Sequence, residues 1–162
     1  MTHKQQRIYR TTYALLRRHT PLRTDCGVLC GNRCCRGGSE TGMLLFPGEQ
    51  TTLRVLQKNG RRLAVCNGSC RRAERPLSCR LFPFLPAVGR GGRAAAEPDM
   101  RGYGVCPLVR FQEEAAFSHR FLHRVRRVGK LLCRDRETRA FLEALRREAE
   151  ESEAILALFS AK

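Results

Sequence analysis

Cys26-Gly-Val-Leu-Cys30-Gly-Asn-Arg-Cys34-Cys35 is the stretch on which the fold turns. It reads Cys-x3-Cys-x3-Cys-Cys, and in a helical segment residues four apart share one face. Cys26, Cys30 and Cys34 are therefore expected to bring three sulfurs to one centre. Cys35 directly follows Cys34, and adjacent side chains in regular structure point apart, so one of the two is expected to ligate a second metal or to stand aside. Around them, from Asp25 to Gly38, the chain is too poor in apolar residues for an ordinary strand or core helix. It reads as a segment organised by what its cysteines hold.

Further out lie Cys66-Asn-Gly-Ser-Cys70, then Cys79 inside Arg75-Pro-Leu-Ser-Cys-Arg-Leu-Phe-Pro-Phe84, and Cys106 in Val105-Cys-Pro107. The chain has nine cysteines, an odd number. It shows neither a signal-type apolar segment near Met1 nor a membrane-length apolar run, so a cytoplasmic location is expected. There thiols stay reduced, and clustered cysteines favour metal ligation over a disulfide scaffold. Structural zinc and a [4Fe-4S] cluster each take four ligands, so zinc or an iron-sulfur cluster is the expected cofactor and counting does not separate them. The candidate metal ligands are Cys26, Cys30, Cys34, Cys35, Cys66, Cys70, Cys79 and Cys106. Cys133, beside Leu131 and Leu132, reads as a structural thiol. Around the site Leu81, Phe82, Phe84 and Leu85 would exclude water, while Arg75 and Arg80 would offer hydrogen bonds or charge to thiolates.

On these residues, above all Arg75 to Phe84 with the two earlier cysteine groups, the chain resembles the YkgJ-type cysteine-cluster proteins, a zinc- or iron-chelating CxxCxxCC domain family, across residues 25–107. The first group has three-residue gaps where the family's short form has two. The resemblance implies Cys26, Cys30, Cys34, Cys35, Cys66, Cys70 and Cys79 as ligands and a chelating role without an assigned reaction. A related cluster occurs in flagellin lysine methylases, so the resemblance also admits an accessory or catalytic module of a redox or methyl-transfer system.

The rest of the chain frames this core. With 162 residues and 42% hydrophobic composition, one domain is expected. Its parts are an N-terminal helix over 7–18 ended by Pro21, the cysteine core at 25–107 and a helical tail at 108–162. The expected class is small α+β, with an irregular cysteine- or metal-organised core, a short β hairpin, the N-terminal helix and a C-terminal helical pair. Leu53–Gly60 and Arg61–Cys66 form the hairpin across Asn59-Gly60, delivering Cys66 and Cys70 to the site. Gly42–Glu49 is a short apolar element closed by Pro47-Gly48, and residues 87–98 read as a loop. Phe117, Phe121, Val125, Val128 and Leu132 keep helical spacing, and a second helix begins after Asp135 as N-cap. The two are expected to pack as an antiparallel pair on the cysteine core.

Thirty-one Lys and Arg face fifteen Asp and Glu, a formal charge of +16. That balance suits a polyanion, and the rival class is a zinc-stabilised nucleic-acid-binding module with Arg120, Arg124, Arg126 and Arg127 on phosphates. Aromatic residues for base stacking are few, at 7% with no Trp, and the sequence alone favours a solvated basic face. The Gly-Arg-Gly-Gly-Arg run from Gly89 is a weaker candidate for RNA contact. No catalytic residue is assigned: His119 and His123 are four apart but have Arg120 where a zinc-protease helix needs Glu, and neither a nucleophile elbow nor a phosphate loop is present. Cys-x3-Cys-x3-Cys also departs from the radical-SAM triad, and the chain is too short for that barrel.

Overall fold

Thr2 opens the first helix with a reciprocal capping box: its hydroxyl accepts from the Gln5 N–H at 3.2 Å, and the Gln5 side chain accepts from the Thr2 N–H at 3.0 Å. Helix α1 therefore runs His3–Leu16, four residues ahead of the expected start. The computed structural model describes residues 2–160 apart from 37, 39–41, 67, 69, 90–91 and 114. After α1 come a single helical turn, α2 (Gly27–Cys30), and a 3-10 turn at Arg33–Cys35.

The predicted hairpin forms. Strands β2 (Arg54–Lys58) and β3 (Arg61–Val65) pair antiparallel with Lys58 opposite Arg61. The two-residue connection places Asn59 at φ 51° and Gly60 at φ 71°, the left-handed pair that a tight hairpin turn needs. The apolar element at Gly42–Glu49 adds a short strand, β1 (Met43–Leu44), on the other side of β3, giving the order β1-β3-β2.

Part of the expected loop at 87–98 is strand. β4 (Phe84–Val88) and β5 (Ala94–Pro98) form a second antiparallel pair, with Phe84 opposite Pro98 and Val88 opposite Ala94. Ala-Ala-Ala-Glu-Pro has poor strand propensity, but β4 supplies its hydrogen bonds, and a helix lies across both strands. Of the Gly-Arg-Gly-Gly-Arg run, Arg90 and Gly91 lie outside the described residues.

The third helix, α3 (Leu77–Leu81), is the turn that carries Cys79, and α4 (Pro107–Arg110) follows Cys106. Helix α5 (His119–Leu132) is N-capped by Ser118, and α6 (Arg136–Ser160) starts after Asp135, whose carboxylate accepts from the Thr138 N–H and hydroxyl at 2.9 Å each. The architecture is small α+β.

The helical pairing differs from expectation. α5 packs on α1 and on β4–β5, while α6 lies on β4 and the turn at Met100–Gly102. Gly129 allows the close approach of α5 to β4, since a β-carbon there would come 2.9 Å from Pro86 Cβ. The main core joins Ile8, Tyr9 and Leu16 to Phe121, Val125, Val128 and Leu132, closed by Leu142, Leu145 and Ala149 of α6. Phe46, Leu77, Leu81, Phe84 and Leu85 enter the same core from the cysteine region. The fold thus centres on a conventional apolar core with the thiols along one side. Truncating fully buried Phe121 to Ala would cost about 3–5 kcal/mol by loss of burial and cavity formation.

Candidate functional site

The chain bends sharply between Cys30 and Cys34. α2 stops at Cys30, and Gly31 and Asn32 both adopt left-handed φ values, 58° and 59°. The helical register that would align Cys34 with Cys26 and Cys30 is broken there. The expected convergence of Cys26, Cys30 and Cys34 does not occur along one helix face. Cys26 packs against a small cluster built from Cys106, Leu108 and Val109, and Cys30 is close enough to influence both thiols electrostatically, while Cys30 and Cys26 both lie within electrostatic reach of Cys34.

Beyond the bend, the 3-10 turn places Cys34 and Cys35 side by side with their sulfurs 3.9 Å apart. Both line one cavity, so the expectation that adjacent thiols must diverge fails in this tight turn. The cavity measures about 480 Å3 and is also bordered by Cys66, Cys70 and Cys79. Cys66 follows β3, as the hairpin reading implied, and its sulfur accepts from the Gly68 N–H at 3.3 Å. Five thiols from three stretches of chain thus face one space. Among the described residues, no three or more Cys, His, Asp or Glu side chains converge closely enough to hold a metal ion together. The thiols border a shared chamber without forming a closed coordination sphere.

Arg75 stands at the thiol wall. It hydrogen-bonds Cys70 and lies within electrostatic reach of Cys35 and Cys79, while its Nε is buried without a partner. Arg33, Arg36 and Arg101 also line the cavity, and Leu81, Phe82, Phe84 and Leu85 form apolar lining as the sequence suggested. Arg80 has a different task. Its Nε donates to the Arg75 carbonyl at 2.9 Å, a terminal nitrogen donates to the Ala73 carbonyl at 2.8 Å, and the guanidinium stacks 4.5 Å over the Tyr13 ring. It braces the turn that leads to Cys79.

Glu49, which sequence reading left as a turn residue, anchors that turn from the other side. Its buried carboxylate accepts from the Phe46 N–H at 2.8 Å, the Leu77 N–H at 2.7 Å and the Tyr13 hydroxyl. Burial lifts the carboxyl above its ordinary range, against the pull of Tyr13, the two amides and Arg62. The signal for this role was slight: one acid placed after Pro47-Gly48 in an apolar run.

Burial also raises the thiols. Cys34, the most exposed of the five, is pushed up to about 12 by the partial burial of its thiol and by Cys35, with smaller influences of Cys30 and Cys26, and Cys79 is pushed further by burial and by Cys70. Burial raises Cys70 against the opposing influence of Arg75, and it raises Cys26, Cys106 and Cys133 as well. A metal or a cluster entering the cavity would therefore have to displace protons. Cys133 packs against the main core and does not line the cavity. His119 and His123 are exposed on α5.

The donor chemistry suits zinc or an iron-sulfur cluster. The cavity offers five sulfurs where four are needed, with arginines to offset thiolate charge and apolar walls to limit water. The chain matches no family model, no curated protein and no solved structure. No described helix is long and apolar enough to cross a membrane.

Proposed function

We propose that the protein binds zinc or an iron-sulfur cluster through cysteine thiolates, with ligands drawn from Cys34, Cys35, Cys66, Cys70 and Cys79. This is the role implied by the resemblance to YkgJ-type cysteine-cluster proteins. The observation that carries it is the shared cavity, to which three separate stretches bring five thiols, with Arg75 among them. Four thiolates are a sufficient set for either group. Zinc so bound would tie the cysteine region together, while a cluster would add electron-transfer capacity. Arg75 would offset thiolate charge and orient Cys70, and Arg80 and Glu49 would hold the turn carrying Cys79. Cys26, Cys30 and Cys106 would be further candidate ligands, the first two lying within electrostatic reach of Cys34.

The experiment is bound metal per chain in Cys34→Ser, Cys79→Ser and Cys133→Ser variants purified anaerobically, with circular dichroism to confirm folding. Each of the first two should lose at least half of the bound metal, and Cys133→Ser should lose none. Unchanged stoichiometry in folded Cys34→Ser and Cys79→Ser sinks the ligand assignment.

A further inference from the structure

The charge of this chain is sorted by element in a way its sequence order conceals. Residues 1–24 carry Lys4, Arg7, Arg10, Arg17, Arg18 and Arg23 and no acid. Residues 115–134 carry Arg120, Arg124, Arg126, Arg127, Lys130 and Arg134, again with no acid. These segments contain α1 and α5, which the fold lays side by side. They run antiparallel. The Gln5 amide donates to Glu137, just beyond α5, at 3.2 Å, while at the opposite end the Ser118 N–H donates to the Pro21 carbonyl at 2.8 Å. There His19 sits among Arg72, Arg120 and Arg124, which together with burial hold its imidazole below the usual histidine range.

The acids lie elsewhere. Seven of the fifteen fall between Asp135 and Glu153. Among the described residues, Asp25 stands beside Arg72 at one end of the α1–α5 pair and Asp135 and Glu137 beside Lys4 and Gln5 at the other, while Glu49, which contacts Tyr13, is buried beneath α1. Among the described residues, ion pairs engage Arg61, Arg71, Arg101 and Arg146 and no cation of α1 or α5. A helix of 14 residues is about 21 Å long. The two helices together make a basic surface of that length whose own residues include no acid and, among the described residues, form no ion pair.

The same surface lacks apolar anchors. Exposed large hydrophobics occur at Val28, Leu29, Val105, Phe111, Ile155, Leu158 and Phe159, and none belongs to α1 or α5. Both helices turn their apolar sides into the core. A bilayer would be gripped by inserted apolar side chains, and a protein partner by buried aromatic or aliphatic anchors. An evenly charged polymer needs neither. With no exposed Phe, Tyr or Trp on the face for bases to stack on, and His119 and His123 its only exposed rings on α5 among the described residues, a duplex held by its phosphates fits better than a single strand.

We propose that the acid-free face formed by α1 and α5 binds double-stranded nucleic acid through its phosphate backbone, without base readout. This surface is separate from the cysteine cavity, and the proposal does not rest on metal binding.

The test is fluorescence anisotropy of the full-length protein with labelled 20-base-pair DNA, 20-base-pair RNA and a single strand of equal length, titrated at several salt concentrations. Both duplexes should bind at 50 mM salt with little dependence on sequence and more tightly than the single strand, the RNA and DNA arms showing which duplex is preferred. The triple variant Arg120→Gln/Arg124→Gln/Arg127→Gln should bind at least tenfold more weakly. Its plot of log affinity against log salt should flatten by roughly 2 to 3, since each phosphate contact contributes about 0.9. A control of equal net charge, Lys58→Gln/Arg71→Gln/Arg93→Gln, should stay within about twofold of the parent. Absence of duplex binding at 50 mM salt, equal weakening by the control, or binding only to phosphatidylserine vesicles would each overturn the proposal.

Discussion

At the residue scale, Glu49 fixes where Cys79 goes. One carboxylate satisfies two buried amides and a phenol, tying α1, the Pro47-Gly48 turn and α3 to one point. Replacing it with Ala leaves the Phe46 and Leu77 N–H groups and the Tyr13 hydroxyl without partners, each costing about 1–3 kcal/mol if it stays dry. Glu49→Ala should therefore lower the urea midpoint sharply, by at least about 3 kcal/mol of unfolding free energy after relaxation. A loss below 1 kcal/mol would show that the site does not depend on this anchor. The cysteines themselves were legible as a set, because nine thiols in a short chain are hard to read otherwise. Their grouping was not legible, since it depends on the left-handed conformations of Gly31 and Asn32 and on a 3-10 turn that turns Cys34 and Cys35 to the same side. Spacing encodes a helix face only where the helix continues.

At the element scale, the parts with strong local signals form where the sequence places them. Asn59-Gly60 gives a tight hairpin, and Asp135 caps α6. β5 was hidden because three alanines carry no strand signal, and its pairing comes from β4 and from packing under α5. Asp135 offers a test of how local this logic is. Burial draws its carboxyl upward, but the Thr138 amide and hydroxyl, Gln5 and Lys4 outweigh that and hold it below its ordinary value of 3.8. A depressed folded value means that the unfolded chain binds the proton more readily, so this contribution is present above the ordinary value and is lost as pH falls through the folded one. Asp135→Asn should keep the cap near pH 7 and remove that part of the acid dependence. Asp135→Ala should cost about 1 kcal/mol at neutral pH. Identical acid unfolding of Asp135→Asn and the parent would contradict the assignment.

At the scale of the whole molecule, an apolar core built from α1, α5 and α6 supports a thiol-bordered cavity on one side and presents an acid-free basic surface formed by two of the same helices. The excess of arginine looked dispersed along the chain because α1 and α5 are about a hundred residues apart in sequence; only packing brings them together. The central claim concerns the cavity. Elemental analysis and a visible spectrum of the full-length protein, purified without oxygen, test it most directly. The account predicts about one or more equivalents of zinc, or iron with matching sulfide and a brown colour, per chain. Folded protein that carries neither and takes up neither zinc nor a reconstituted cluster, with all its thiols free, would contradict it.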